Sequence, residues 1–219
     1  MRGAHPERAI ERAIERSGVF RQGEHVLVAC SGGPDSVALA AAMNAVGTRD
    51  GLTIRAAFVN HGLRASAWQD ECIVLQLAAQ LEIPLDLVAL QPDGWNEERL
   101  RTARYDALIE VAKRRVCTVV ATGHHAEDQS ETVLLALLRG TGPAGLRGIR
   151  SRRRLTPSLD LARPLLVIPS EALRAYCHSR ALPYAVDPSN ADATLRRNAV
   201  REALHTLRPL FPGLDSAVA

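Results

Sequence analysis

An apolar run, Val26-Leu27-Val28-Ala29-Cys30, stops abruptly at Ser31-Gly32-Gly33-Pro34, and an alanine-rich run opens at Asp35. This pattern constrains the chain more than any other, because it reads as strand, tight loop and helix N-terminus. Glycines let backbone approach a ligand closely. The N–H groups at a helix start attract an anion the size of phosphate. No lysine of the Walker type follows the glycines, so the loop points to nucleotide chemistry other than ordinary γ-phosphoryl transfer. A carboxylate at Asp35 would be repelled by bare phosphate and implies a bridging Mg2+. Ser31, Gly32, Gly33, Pro34, Asp35 and Ser36 are therefore the candidate phosphate site, with Asp35 its metal ligand. The plainer alternative is a glycine turn with an aspartate cap.

The rest of the chain repeats the strand–helix alternation. Strands are expected over 26–30, 54–59, 85–90 and 118–122, and helices over 6–17, 35–46, 66–81, 96–115 and from His125 to about 139. Residues 47–51 read as a turn, Ser66 and Asn96 as helix caps. With 219 residues, 47% hydrophobic and only 4% aromatic, the core must be mostly Ala, Leu, Val and Ile. That favours helices packed on a buried parallel sheet. The fold class expected is α/β, a doubly wound parallel sheet with ligands at the carboxyl ends of its strands. Residues 1–140 form the nucleotide-binding body. Residues 141–219 form a loop and helical extension: a mobile arginine-rich loop over 141–153, a short strand over 163–168, a helix over 170–181 and another from Leu195.

Composition excludes some classes. No apolar stretch approaches a membrane span, and the polar start is no secretory signal. The cysteines Cys30, Cys72, Cys117 and Cys177 never fall at CxxC spacing, so they read as buried, reduced residues of a cytoplasmic protein rather than a zinc or iron–sulfur site. Net charge is only +3, but Lys113 is the sole lysine. Arginine, the better fork for phosphate, gathers at Arg147, Arg150, Arg152, Arg153 and Arg154 and at Arg196, Arg197, Arg201 and Arg208. Each group reads as either a solvated face or a contact for a polyanion such as RNA.

The Ser31–Ser36 hexapeptide resembles the SGGxDS loop of the N-type ATP pyrophosphatases, which cleave ATP between the α and β phosphates and adenylate a substrate. Further motifs narrow the likeness: Asn60-His61-Gly62-Leu63-Arg64; Glu97 with Arg101, Arg104 and Tyr105; Thr122-Gly123-His124-His125-Ala126-Glu127-Asp128-Gln129-Ser130-Glu131; Arg163-Pro164-Leu165-Leu166; Asp187-Pro188-Ser189-Asn190; and Arg197-Asn198-Ala199-Val200-Arg201. In this order they resemble the bacterial tRNA(Ile)-lysidine synthase family, over about 26–201. The resemblance implies an adenine nucleotide α-hydrolase-like, Rossmann-type fold, with ATP and Mg2+ as cofactors and tRNA(Ile) and free L-lysine as partners. It implies ATP-dependent joining of lysine to the C2 of the wobble cytidine through an adenylated intermediate, and an expected lack of the C-terminal tRNA-gripping domains of longer members. Glu127, where the family often has aspartate, is a departure. The oligomeric state stays open, a homodimer included.

Asp128 and Glu131 lie three apart and share a helix face, expected to continue as core through Leu134, Leu135 and Leu138. The plain reading is capping of the helix dipole by acids. The resemblance gives both the amines of lysine, with Asp128 also taking a proton from the attacking amine. It places Arg104 at the lysine carboxylate or the α-phosphate, where the plain reading of the Glu97–Arg101–Arg104 face is a surface ion pair. His61 and Gly123 join the ATP site, and Arg64, Arg197, Asn198 and Arg201 face tRNA. Asp35, Arg104, Asp128 and Glu131 are thus the candidate catalytic set. Two rivals stay open: another enzyme of this superfamily, such as a tRNA thiolase or amide-forming ligase, and a nucleotide-binding module without turnover.

Overall fold

The computed structural model describes residues 8–60, 62, 67–91, 94–185 and 195–218, without the side chains of Ala67, Leu195, Arg196 and Arg197. Its elements run α1 (Ala9–Ser17), β1 (His25–Ala29), α2 (Pro34–Asp50), β2 (Thr53–Asn60), α3 (Ala67–Leu81), β3 (Leu85–Ala89), α4 (Glu97–Arg114), β4 (Val119–Ala121), α5 (Ala126–Leu138), β5 (Arg152–Thr156), β6 (Leu159–Ala162), α6 (Ser170–Ser179), α7 (Leu195–Leu207) and α8 (Leu214–Val218). The sheet has six strands in the order β3-β2-β1-β4-β6-β5, and β5 alone pairs antiparallel.

Period-two alternation explains the layers. Val26 and Val28 of β1 face one core with Ile14, Val37, Met43, Leu77 and Leu173, while Leu27 faces the other with Leu108, Val111 and Leu161. Both faces are covered, so β1 reads as an unbroken apolar run. The chain leaves β1 for β2 on one side and reaches β4 on the other. The switch point of the winding therefore lies between the carboxyl ends of β1 and β4, where such sheets open a crevice.

Several boundaries differ from expectation. Gly47 is inside α2, which runs on to Asp50 and is closed by left-handed Gly51. A Cβ at Gly47 would lie 2.6 Å from Ile54, so this glycine serves helix–strand packing and not a turn. Residues 163–168 are not a strand. Pro164 has no N–H to donate to a ladder, the Arg163 N–H goes to the Ser151 carbonyl, and the buried Leu165, Leu166 and Ile168 pack from a turn instead. The arginine run is not a wholly open loop either: Arg152, Arg153 and Arg154 lie in edge strand β5. Arg152 is fixed there by Glu24 and Asp160 at 2.7 Å each.

Leu138 is 69% exposed rather than core. The buried residues of α5 are Ala126, Gln129, Ser130 and Glu131, all in its first half. Cys72 is likewise exposed, although Cys30, Cys117 and Cys177 are buried. Asn96 caps α4 as expected, accepting from the Arg99 N–H. Ser66 lies outside the described residues. Among the described residues no helix is long and apolar enough to cross a membrane.

Candidate active site

The loop after β1 is shaped by two local constraints. Gly32 adopts φ +87°, and a Cβ there would meet the Asp70 backbone at 3.4 Å. Ser36 then ties the loop together. Its hydroxyl donates to the Gly33 carbonyl at 2.9 Å and accepts from the Ser31 N–H at 3.0 Å. Pro34 opens α2 at its first turn, where the missing N–H costs nothing. The first-turn N–H groups of a helix have no intrahelical acceptor, so α2 presents its positive end to the crevice.

Gly123, between β4 and α5, brings the second wall close. A Cβ on it would lie 3.1 Å from the Asp35 carbonyl and 3.2 Å from the Ser36 nitrogen. Only a glycine lets the end of β4 touch the start of α2. Across this contact His125 sits among three carboxylates. Its Nδ1 lies 2.8 Å from Glu127, and its Nε2 lies 3.5 Å from Asp35 and 3.6 Å from Asp128. Asp128 also accepts the His125 N–H at 3.1 Å. Burial disfavours the imidazolium, but the Glu127 hydrogen bond and the charges of Asp128 and Asp35 outweigh it and push His125 up to about 9. Burial works against the Glu127 carboxylate in turn, yet His125 and the Ser170 N–H bring it down to about 2. Its length lets Glu127 reach the N–H and hydroxyl of Ser170 at the start of α6.

Asp35 behaves differently. Burial raises its proton affinity, and His125 only partly offsets this. Its Oδ1 is buried with no hydrogen-bond partner among the described residues. A carboxylate oxygen left in this state at a helix start fits a Mg2+ ion, which takes one or two carboxylates plus phosphate oxygens and water. Among the described residues no three His, Cys, Asp or Glu side chains form a metal site by themselves.

The neighbouring His124 has the opposite surroundings. Its Nδ1 lies 2.9 Å from the Thr122 hydroxyl. Burial, then Arg163, Arg104 and Arg101, pull it down to about 3, so it is neutral at ordinary pH. Arg101 and Arg104 lie over the Tyr105 ring at 5.8 and 5.6 Å, rather than in the surface ion pair with Glu97. The crevice thus has an acidic wall at His125 and a basic wall at His124.

Glu131 and Arg201, expected at lysine and at RNA respectively, meet each other. The Arg201 Nε donates to Glu131 at 2.8 Å, and Glu131 is 3% exposed. Asn198 is half-buried one turn earlier on α7. His61, Arg64 and the loop at 187–190 lie outside the described residues, as does the side chain of Arg197.

Three further groups shape the crevice in ways that no local sequence pattern marks. Gln129, 5% exposed, accepts the Ile149 N–H at 2.6 Å and donates to its carbonyl at 3.4 Å. Arg163 donates to the Arg150 carbonyl at 3.0 Å. The Ala185 N–H donates to the Gly32 carbonyl at 2.9 Å. Arg163-Pro164 and Gln129 lay within recognised motifs, but sequence could not show that they clamp backbone.

Residues 4–207 match the PP-loop domain family. The chain is 44% identical to a tRNA(Ile)-lysidine synthase of Salinispora arenicola, covering 96% of this chain and 65% of that protein. It is 43% identical to the tRNA(Ile)-lysidine synthase of Salinispora tropica, covering 99% of this chain and 67% of that one. The chain thus spans about two thirds of the length of these relatives. Among solved structures it is similar to the U34-tRNA thiolase NcsA from Methanococcus maripaludis, with TM-score 0.83, 19% identity and coverage of 97% of this chain and 76% of that one. That last likeness concerns the fold.

Proposed function

The chain belongs to the PP-loop domain family and groups within it with the tRNA(Ile)-lysidine synthases, and from that premise we propose that it joins lysine to the C2 of the wobble cytidine of a tRNA(Ile) with a CAU anticodon, at the expense of ATP. The observation that carries the reading is the opposition of two loops at the switch point. The phosphate-sized loop of β1–α2, with its buried and unpartnered Asp35 oxygen, faces the Asp128 carboxylate at the start of α5, His125 lying between them. A nucleotide phosphate and an ammonium group have complementary receivers a few ångströms apart.

In this reading Ser31, Gly32, Gly33, Pro34 and Ser36 seat the ATP phosphates, with Gly123 permitting the close approach and His61 near the nucleoside. Asp35 would hold Mg2+, which supplies charge neutralisation on the leaving pyrophosphate. The cytidine O2 attacks the α-phosphorus and the bond to the β-phosphate oxygen breaks, releasing pyrophosphate. An amine of lysine then attacks C2, the C2–O bond breaks, and AMP leaves with that oxygen. Asp128 accepts the proton lost by the amine, Arg104 pairs with the lysine carboxylate or the α-phosphate, and Glu131, whose oxygens Arg201 occupies, acts on the second lysine amine through its charge and not by direct contact. Arg64, Arg197 and Asn198 would meet the RNA, while Arg201 would act there through α7, which its pair with Glu131 holds in place. The protein contributes chiefly position and charge.

The test is direct. With ATP, Mg2+, labelled lysine and tRNA bearing an unmodified CAU anticodon, label should enter the RNA with equimolar AMP and pyrophosphate. Pyrophosphate release without label in RNA, or label that ignores the anticodon, would overturn the assignment.

A further inference from the structure

The arginine run at 147–154 is not spent on a single role, and its register divides it. Arg152 pairs with Ala162 and Arg154 with Asp160, while Arg153 pairs with Leu161. Paired residues of an antiparallel ladder point to the same face. Leu161 belongs to the core beneath α4, so Arg153 emerges on the α4 side. Arg152 is sequestered by Glu24, Asp160 and the Val19 carbonyl, and Arg154 reaches Asp160 at 3.1 Å.

Arg153 stands apart from these. It is exposed, and its described contact is a donation to the Arg154 carbonyl. β5 is antiparallel, so its start lies at the carboxyl edge of β6, just where Arg163 leaves that strand. Arg101 and Arg104 approach from α4, stacked on Tyr105. Among the described residues Arg101, Arg104 and Arg153 have no carboxylate partner. Tyr105, under the Arg101 guanidinium, packs against the same apolar cluster as Leu161, the ladder partner of Arg153, so Arg101 and Arg153 share one face of the sheet. Gln129 and Arg163 clamp the backbone at 149–150, so the basic segment is held against the same crevice rather than swinging free.

We propose that Arg153, together with Arg101, forms a phosphodiester-binding wall on the α4 side of the crevice, seating the backbone of the RNA strand that flanks the reacting nucleotide. The inference rests on the reading of the substrate as RNA. Planar guanidinium forks suit phosphate, and an RNA loop must offer its backbone at the mouth of the crevice when one base enters it. An edge strand also carries charge to discourage pairing with other sheets. That role needs charge but no RNA, and it gives no reason for Arg153 and the α4 arginines to share one side.

The experiment measures binding of a CAU stem–loop RNA to the full chain across a salt series. Arg153→Ala and Arg101→Ala should each weaken binding about fivefold and lower the slope of log affinity against log salt by about 0.7, the value for one single-strand phosphate contact. ATP affinity and the rate at saturating RNA should stay within about twofold, so that the loss lies in KM for RNA. Lys113→Ala, at the opposite end of α4 and paired with Glu110, should change neither affinity nor slope. Wild-type RNA affinity and slope in the Arg101→Glu/Arg153→Glu variant would overturn the wall while leaving the lysine-transfer reading intact. Weakened ATP binding with unchanged RNA binding would also overturn it. A wild-type chain that neither binds nor modifies the RNA would overturn both.

Discussion

Arg201 on α7 grips Glu131 on α5 through two hydrogen bonds, Nε to Oε1 at 2.8 Å and Nη2 to Oε2 at 3.2 Å. The two residues are 70 positions apart in sequence. The acid is buried, and the guanidinium is 40% exposed on its outer side. The pair fastens the helical C-terminal part of the chain to the crevice wall.

Truncating Arg201 leaves Glu131 buried without that cation, which is costlier than losing a surface pair. Arg201→Ala should lower the unfolding free energy by about 1–3 kcal/mol, read from urea midpoints. Arg201→Lys should recover only part of this, since an ammonium cannot span both carboxylate oxygens. Equal stability of all three proteins would show that the pair does not fasten α7.

Gly123→Ala should damage activity more than its size suggests. The added methyl meets the Asp35 backbone at 3.1 Å, and backbone cannot turn aside as a side chain can. The start of α2 must shift by a few tenths of an ångström, at a cost of about 1–3 kcal/mol. Pyrophosphate release should fall about tenfold or more, because the phosphate loop moves with α2. Unchanged release at saturating substrates would argue against the contact.

The adjacent histidines should give stability a maximum near their unfolded pKa of about 6.5. His125 is raised to about 9, so its contribution is complete below the unfolded value and is lost as pH climbs through 9. His124 is lowered to about 3, so the folded state loses stability as pH falls from the unfolded value toward 3. Glu127, lowered to about 2, adds a further acid-side loss below its ordinary range. His125→Gln should flatten the alkaline limb and shrink the Glu127 part of the acid limb, which His125 itself supports, leaving the His124 part in place. Chemical denaturation at a series of pH values measures both limbs.

Gln129→Ala should release the segment at 149–151. The amide supplies both a donor and an acceptor to the Ile149 backbone, and Gly148 lies so close that a Cβ there would touch the amide at 2.7 Å. Trypsin should cut after Arg147 or Arg150 several-fold faster, with stability reduced by about 1–3 kcal/mol. A wild-type cleavage rate would mean that Arg163 alone holds the segment.

Local patterns carried much of the site. Ser31-Gly32-Gly33-Pro34-Asp35 reads as a phosphate loop because glycine, proline and an acid each do something specific at a helix start, whatever surrounds them. His124 and His125 illustrate the opposite. They are the same residue type one position apart, yet one is neutral among arginines of α4 and the turn after β6, and the other is charged among carboxylates of α2 and α5. No local pattern distinguishes them.

What the sequence by itself determined is the set of elements whose signals are local: the β1 run, the loop, the Asn96 cap and the helix that begins after His125, and with them the doubly wound class. Only the tertiary structure decided what the charged residues do. Arg152 and Arg154 found acids from β6 and the chain before β1, Arg153 was turned to the other face by a period of two, and Arg201 was drawn inward to Glu131. The physical reason is range. Backbone preference acts over a few residues, whereas a guanidinium takes its partner from whatever carboxylate or phosphate the folded sheet and helices bring within reach.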